Sequence, residues 1–339
     1  MSHRRPSVIA GSASVALLLG AVFAAASGHA QVLQSAQGGS DHPLPPDEAI
    51  VARVDGTPIS FREVKQQLAG ALQGRDVPDA ALPMALAQSL EQVIARQLIT
   101  AEMVRREMRP TPEETKAAEE NFQKNLTRRG ITRDEYLRQN MLNEADLEKV
   151  RYWEICWNRF ARELLTDDHL KQFFEAHHRD YDGTQLRVSH ILLRIEGTQD
   201  QGTVQAAMKK AAEIREALVG GRAIFADEAL RHSAGPSREQ GGDLGFIPRR
   251  ERMVEEFSAA AFRLKKGEIS PPVLTPFGVH LITVTDEQPG TVKWQDVREQ
   301  LITAAQLPLF RQLAAQLRPR AKVEYTGLLP LPQAVQGRP

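Results

Sequence analysis

Apolar residues first fall into a regular pattern just before residue 50. Ala49 to Val54 and Thr57 to Ile59 flank Asp55-Gly56, a pair suited to the positive backbone angles of a two-residue hairpin turn. From Ser60 to about Asp180 the spacing turns helical, with Leu86, Leu90, Val93, Ile94, Leu98 and Ala101 recurring at helical intervals. Breaks are expected at Pro110 and Pro112, at Gly130 and near Asn143, with Thr111 and Thr132 as N-caps ahead of acidic residues. This pattern predicts an open array of successive helices rather than one coiled coil.

The period changes at Leu186. Leu186 to Leu193 reads as a strand buried on at least one face. A helix follows, with Val204, Ala207, Met208, Ala211, Ile214 and Leu218 on one side and Gly220-Gly221 as its C-cap. A shorter helix covers Phe225 to Arg231, and Gly241 to Gly245 forms a glycine-rich turn. A helix around Glu255 to Phe262 precedes strands near Pro272 to Leu274 and Val279 to Val284. Such mixing within about 100 residues suits one sheet covered by helices, an α+β domain. The tail returns to helix through Trp294, Val297 and Leu301 and, past a break at Pro308, Leu309, Leu313 and Leu317. That helix needs a partner surface. It is expected to pack on the amino-terminal helices, with a last strand at Ala321 to Tyr325 pairing with the opening hairpin and the chain free after Gly327.

The first 30 residues stand apart in composition. His3, Arg4 and Arg5 precede an apolar run from Val15 to Ala26, and Gly28-His29-Ala30 has the small residues of a cleavage site, so a secretory signal cut after Ala30 is expected. The run rises only about 18 Å as helix against a hydrocarbon core of roughly 30 Å. Residues 31–47, rich in Gly, Ser, Gln and Pro, read as a disordered linker. No later stretch is apolar enough to span a bilayer, so no stable membrane insertion is expected after signal cleavage. Of the 339 residues, 43 are basic and 43 acidic, a balance that argues against nucleic acid as a partner. The single cysteine, Cys156, lies in an apolar helical stretch and reads as a buried, inert thiol.

Val188-Ser189-His190-Ile191-Leu192, Gly241 to Gly245, Met253 to Phe257, Lys266 to Ser270 and Phe277-Gly278-Val279-His280 occur in an order and spacing that resembles the parvulin peptidyl-prolyl isomerases. The resemblance covers the second domain. Signal, helical domain, parvulin domain and returning helix together look like the SurA and PrsA type of extracytoplasmic foldase. It implies a helical chaperone domain over 48–182, completed by 291–327, and an FKBP-like parvulin domain over 183–290 with a four-stranded antiparallel sheet. Residues 328–339 would form a flexible tail.

Prolyl isomerisation breaks no covalent bond, and its barrier of roughly 20 kcal/mol is lost amide resonance. It calls for shape and solvation rather than a nucleophile, and for no metal or organic cofactor. The resemblance puts the proline-binding residues at Leu244, Met253 and Phe257, with Phe277 also on the substrate side. Residue type alone reads those at Leu244, Met253 and Phe257 as core packing. His190 and His280 correspond to the family's histidine pair. Neutral imidazoles each donate and accept one hydrogen bond and can order a network, whereas a metal reading lacks a third ligand. The chain departs from the family at Gly235, within His232 to Ser237, where active members resemble Ser-x-Asp-Pro-Ser or carry cysteine. Gly235 has no group to tune the electrostatics near the substrate carbonyl, and Ser233 or Ser237 is the candidate substitute. Arg249, Arg250 and Arg252 read as a solvated face or as a preference for acidic residues before proline. His169, His177 and His178 read as polar surface.

Two functions remain open on this reading. One is a periplasmic isomerase and chaperone acting on X-Pro segments of unfolded or nascent exported polypeptides. The other is a catalytically weak or inactive parvulin-fold holdase.

Overall fold

A computed structural model describes residues 44–72, 77–195 and 201–330. The expected signal sequence and most of the expected linker lie outside the described residues. In chain order the elements are β1 Ile50–Val54, β2 Thr57–Ser60, α1 Phe61–Leu72, α2 Leu82–Arg105, α3 Pro112–Arg129, α4 Arg133–Gln139, α5 Glu144–Leu164, α6 Asp167–Ala176, α7 His178–Tyr181, β3 Gln185–Leu193, α8 Gln201–Val219, α9 Phe225–His232, β4 Asp243–Pro248, α10 Glu255–Arg263, β5 Val273–Thr275, β6 Gly278–Gln288, α11 Arg298–Leu317 and β7 Val323–Tyr325. Contacts divide the chain into two units. One runs to Thr166 and resumes at Ile302, and the other is Asp167–Leu301. The parvulin domain expected over 183–290 is thus embedded in a unit that also takes in α6 and α7.

In the first unit the β1–β2 hairpin turns at Asp55 and Gly56, both at positive φ. β7 lies antiparallel on the other side of β1, giving the order β2-β1-β7. Ile59, Phe61, Leu90 and Ile94 fill the core beneath this sheet. Three helices begin with reciprocal capping boxes, Thr111 with Glu114, Thr132 with Glu135 and Asn143 with Asp146, which satisfy amides that the helix itself leaves free. A second core stacks Trp153 on Trp157 at 5.4 Å with Phe310 edge-on to both. Cys156 is fully buried there, and burial pushes its thiol up.

Two expectations about the tail need correction. α11 runs unbroken through Pro308, although proline removes a helical hydrogen bond at a cost of about 3 kcal/mol. Ile302, Ala305 and Phe310 are buried on both sides of it, so packing outweighs the local penalty. The chain is not free from residue 328, because Leu329 is only 6 % exposed and belongs to the core of Phe61 and Leu90.

The second unit is built on a four-stranded sheet ordered β4-β3-β6-β5, antiparallel throughout. Every residue of β3 from Val188 and of β6 from Gly278 to Val284 is buried, because helices cover both faces. Leu186, Val188, Ile282 and Val284 meet Phe257, Ala261 and Phe262 of α10. Ile191, Leu193, Val279 and Leu281 meet Ala211, Ile214 and Leu218 of α8 and Ala229 of α9. The period of two along each strand therefore sends His190 and His280 to the α10 side.

Candidate functional site

His190 pairs across the ladder with Ile282, and His280 with Leu192, so the two histidines are diagonal neighbours on one face. Their Nδ1 atoms lie 3.2 Å apart, and both residues are buried. Phe257 of α10 meets them edge-on, its ring centroid 5.8 Å from that of His190 and 5.3 Å from that of His280. On its other side His280 Nε2 lies 2.9 Å from Thr275 Oγ1. The hydroxyl donates to Gly278 O at 3.2 Å and accepts from Phe277 N. With its proton used on Gly278, Thr275 accepts from His280 Nε2, which leaves His280 Nδ1 to accept from His190 Nδ1 and His190 Nε2 as a bare acceptor. Both imidazoles are lowered from 6.5 to about 4, His190 by burial and His280 by burial and, secondarily, by repulsion from a protonated His190, so the pair is neutral at physiological pH.

The loop from Ser233 to Gly242 closes over this pair. Ser233 Oγ accepts from Leu192 N at 3.1 Å and from Gly235 N at 3.2 Å, which pins the loop to β3. Gly242, at φ +85°, lies so close that a Cβ there would fall 2.3 Å from His190 O, so only glycine fits. At Gly235 a Cβ would stand 2.8 Å from His190 Nε2 and 3.3 Å from Ser233 Oγ. The missing side chain thus faces His190 Nε2, a buried atom with no hydrogen-bond partner. A side chain at this position would meet the His190 ring and the Ser233 hydroxyl, so an acidic or thiol group fits only if they shift. Ser237 Oγ is likewise buried without a partner.

Leu244 on β4 and Met253 ahead of α10 are half-buried against the cluster that contains Phe257. The structure brings His190, His280, Gly235 and Phe257 together, with Leu244 and Met253 packed on the Phe257 side. Phe277 stands apart, 61 % exposed on the turn between β5 and β6, and only its backbone joins the network, through Thr275. The three loop arginines are not free charges. Arg249 bonds Asp180 and Glu255, Arg250 bonds Gln300 and covers the Tyr181 ring, and Arg252 donates to the carbonyls of Leu244 and Phe246. Sequence reasoning missed Thr275. Its signal was local: a hydroxyl two residues before an amide at a turn is a recurrent side-chain turn. Among the described residues no group of three or more His, Cys, Asp or Glu is placed to hold a metal ion.

Compared with protein families, residues 172–288 match the PPIC-type PPIASE domain. This part of the chain is similar to the parvulin-type peptidyl-prolyl isomerase domains. The chain is 39 % identical over 149 residues to the chaperone SurA of Cupriavidus metallidurans, covering 42 % of this chain and 28 % of the relative. It is 35 % identical over 156 residues to the foldase protein PrsA of Bacillus subtilis, covering 45 % of this chain and 46 % of that one. The chain thus spans less than half the length of the curated relatives it matches. The crystal structure of the peptidylprolyl isomerase PrsA from Bacillus anthracis aligns with 25 % identity and a TM-score of 0.36 over 68 % of this chain and 96 % of that one.

Proposed function

We propose that this protein is a periplasmic peptidyl-prolyl cis–trans isomerase and chaperone that assists the folding of exported proteins. The observation that carries the reading is the neutral His190–His280 pair, buried beneath Phe257 and beside Leu244 and Met253. A planar X-Pro amide is more delocalised and more dipolar than a twisted one, so an apolar seat for the proline ring favours the twisted state. Leu244, Met253 and Phe257 form that seat, and Phe277 offers an exposed apolar contact to the flanking chain. His190, His280 and Thr275 keep the floor beneath the amide rigid and uncharged. The helical unit over 48–182 and 291–327 shields the unfolded client, as an aggregation-prone chain requires. Export rests on the charged and apolar start of the sequence, and no helix among the described residues is long and apolar enough to cross a membrane.

NMR exchange on an X-Pro peptide tests the catalytic part. The protein should raise the cis–trans exchange rate, and Phe257→Ala should reduce that gain. Fractionation of cells, with sequencing of the mature amino terminus, tests the address by looking for a start at Gln31. A second reading has its own observation in Gly235, which leaves His190 Nε2 unpartnered. Under it the domain binds X-Pro segments without turning them over, and peptide binding without exchange would establish it over the first.

A further inference from the structure

Resting on the isomerase reading, we infer that the short helix α7, ahead of the sheet, is the clamp that sets the position of the proline-seat helix α10, with Arg179 as its positioning residue. α10 carries Phe257, and it is held at both ends from α7. At its carboxyl end, Arg179 Nη1 donates to Phe262 O at 3.1 Å and to Leu264 O at 2.9 Å. Those carbonyls have no partner within the helix, and a cation there also meets the negative end of the helix dipole. The same guanidinium reaches β6 through Glu287 at 3.0 Å, so it fixes α10 relative to the strand that bears His280. At the amino end, Asp180 accepts from Arg249 at 2.7 Å, and Arg249 grips Glu255, in the first turn of α10, at 2.6 and 2.8 Å. Tyr181 closes the set beneath the Arg250 guanidinium, 5.0 Å from its ring centroid.

The bonds of three successive residues of α7 therefore fix the height and tilt of α10 over the sheet. Phe257 is edge-on to both imidazoles, and van der Waals contacts decay steeply with separation, so a small shift of α10 changes the seat directly. Arg179 touches neither the histidines nor the Leu244 and Met253 side of the seat. It acts through α10.

The test is a double-substitution cycle on the full chain. Arg179→Ala should move the imidazole C–H resonances of His190 and His280, which sense the ring of Phe257, and lower kcat/KM for an X-Pro peptide about tenfold, mostly in kcat. Arg179→Lys, with one point of contact instead of a fork, should recover part of the loss. In a Phe257→Leu background Arg179→Ala should add little, because both act through one ring. Arg249→Gln should shift the same resonances in the same sense by less, which covers the case of an unfolded Arg179→Ala. Arg222→Ala, at an exposed pair with Glu216, should change neither readout. Unmoved imidazole resonances in a folded Arg179→Ala, or full additivity with Phe257→Leu, would overturn the clamp. A wild-type protein without exchange activity would sink the isomerase reading alone, since the resonances still judge the clamp.

Discussion

Lowering the pH should destabilise the parvulin unit well before most carboxylates titrate, and the histidine pair should be the cause. Both imidazoles are displaced by burial from 6.5 to about 4. The unfolded chain takes up each proton near 6.5, whereas the folded domain resists until about 4, so the unfolded state holds more protons throughout that window. Stability is therefore complete above 6.5 and falls as the pH drops towards 4. At 1.36 kcal/mol per unit, the displacement is worth about 3.4 kcal/mol for a ring, of which about 2 kcal/mol is already lost at about pH 5. At that pH neither ring is charged in the folded domain, so the two losses add to about 4 kcal/mol, a large share of the 5–15 kcal/mol typical of a domain. Urea unfolding at about pH 7.5 and about pH 5, followed through the amides of β3 and β6, measures it against His190→Asn/His280→Asn. The wild type should lose about 4 kcal/mol more than the double variant. Equal losses, or ring protons of His190 and His280 that titrate near 6.5, would refute the buried neutral pair.

Gly235→Ala should cost about 1–3 kcal/mol and shift the His190 ring, because its Cβ falls 2.8 Å from Nε2; unfolding and the ring spectrum check it. Gly235→Asp carries the same clash, so it should not act as a simple restoration. Ser233→Ala should lose about 1–3 kcal/mol, since it strands the amides of Leu192 and Gly235, whereas Ser237→Ala should be within about 0.5 kcal/mol of wild type, because its hydroxyl has no partner. Reversed rankings in urea unfolding would show that the two serines have been assigned the wrong roles. Thr275→Val should cost about 1–3 kcal/mol and slow any peptide exchange, since His280 Nε2 then has no acceptor; an unchanged rate would exclude it from the network.

The histidine pair was legible through the family resemblance that carried it. Val188 and His190 share a face of β3, and His280 shares one with Ile282 and Val284, and the register of β3 on β6 brings the two rings together. The glycine-rich turn was equally legible, since Gly242 tolerates no side chain against His190 O. Thr275 escaped because its hydroxyl matters only once β5 pairs with β6. Of the loop arginines, Arg250 and Arg252 are exposed as a solvated face requires, and Arg249 is the exception. Arg249 is neutralised by Asp180, 69 positions earlier, and no local pattern announces such a partner. Pro308 was read as a break because local rules describe an isolated helix, whereas Phe310 is buried in a tertiary core.

The sequence by itself determined the elements, the buried character of the central strands and the residue types at the site, because periodicity, capping and glycine conformation act over a few neighbouring residues. It also carried the family motifs from Val188 to His280, which depend only on order and spacing. Only the tertiary structure decided that Gly235 faces the His190 ring so closely that a Cβ there would stand 2.8 Å from Nε2. It likewise decided that Arg179 reaches Leu264 and Glu287, 85 and 108 positions away. Such contacts arise from how whole elements pack, and an arginine's sequence neighbours do not encode which distant carbonyl it will meet.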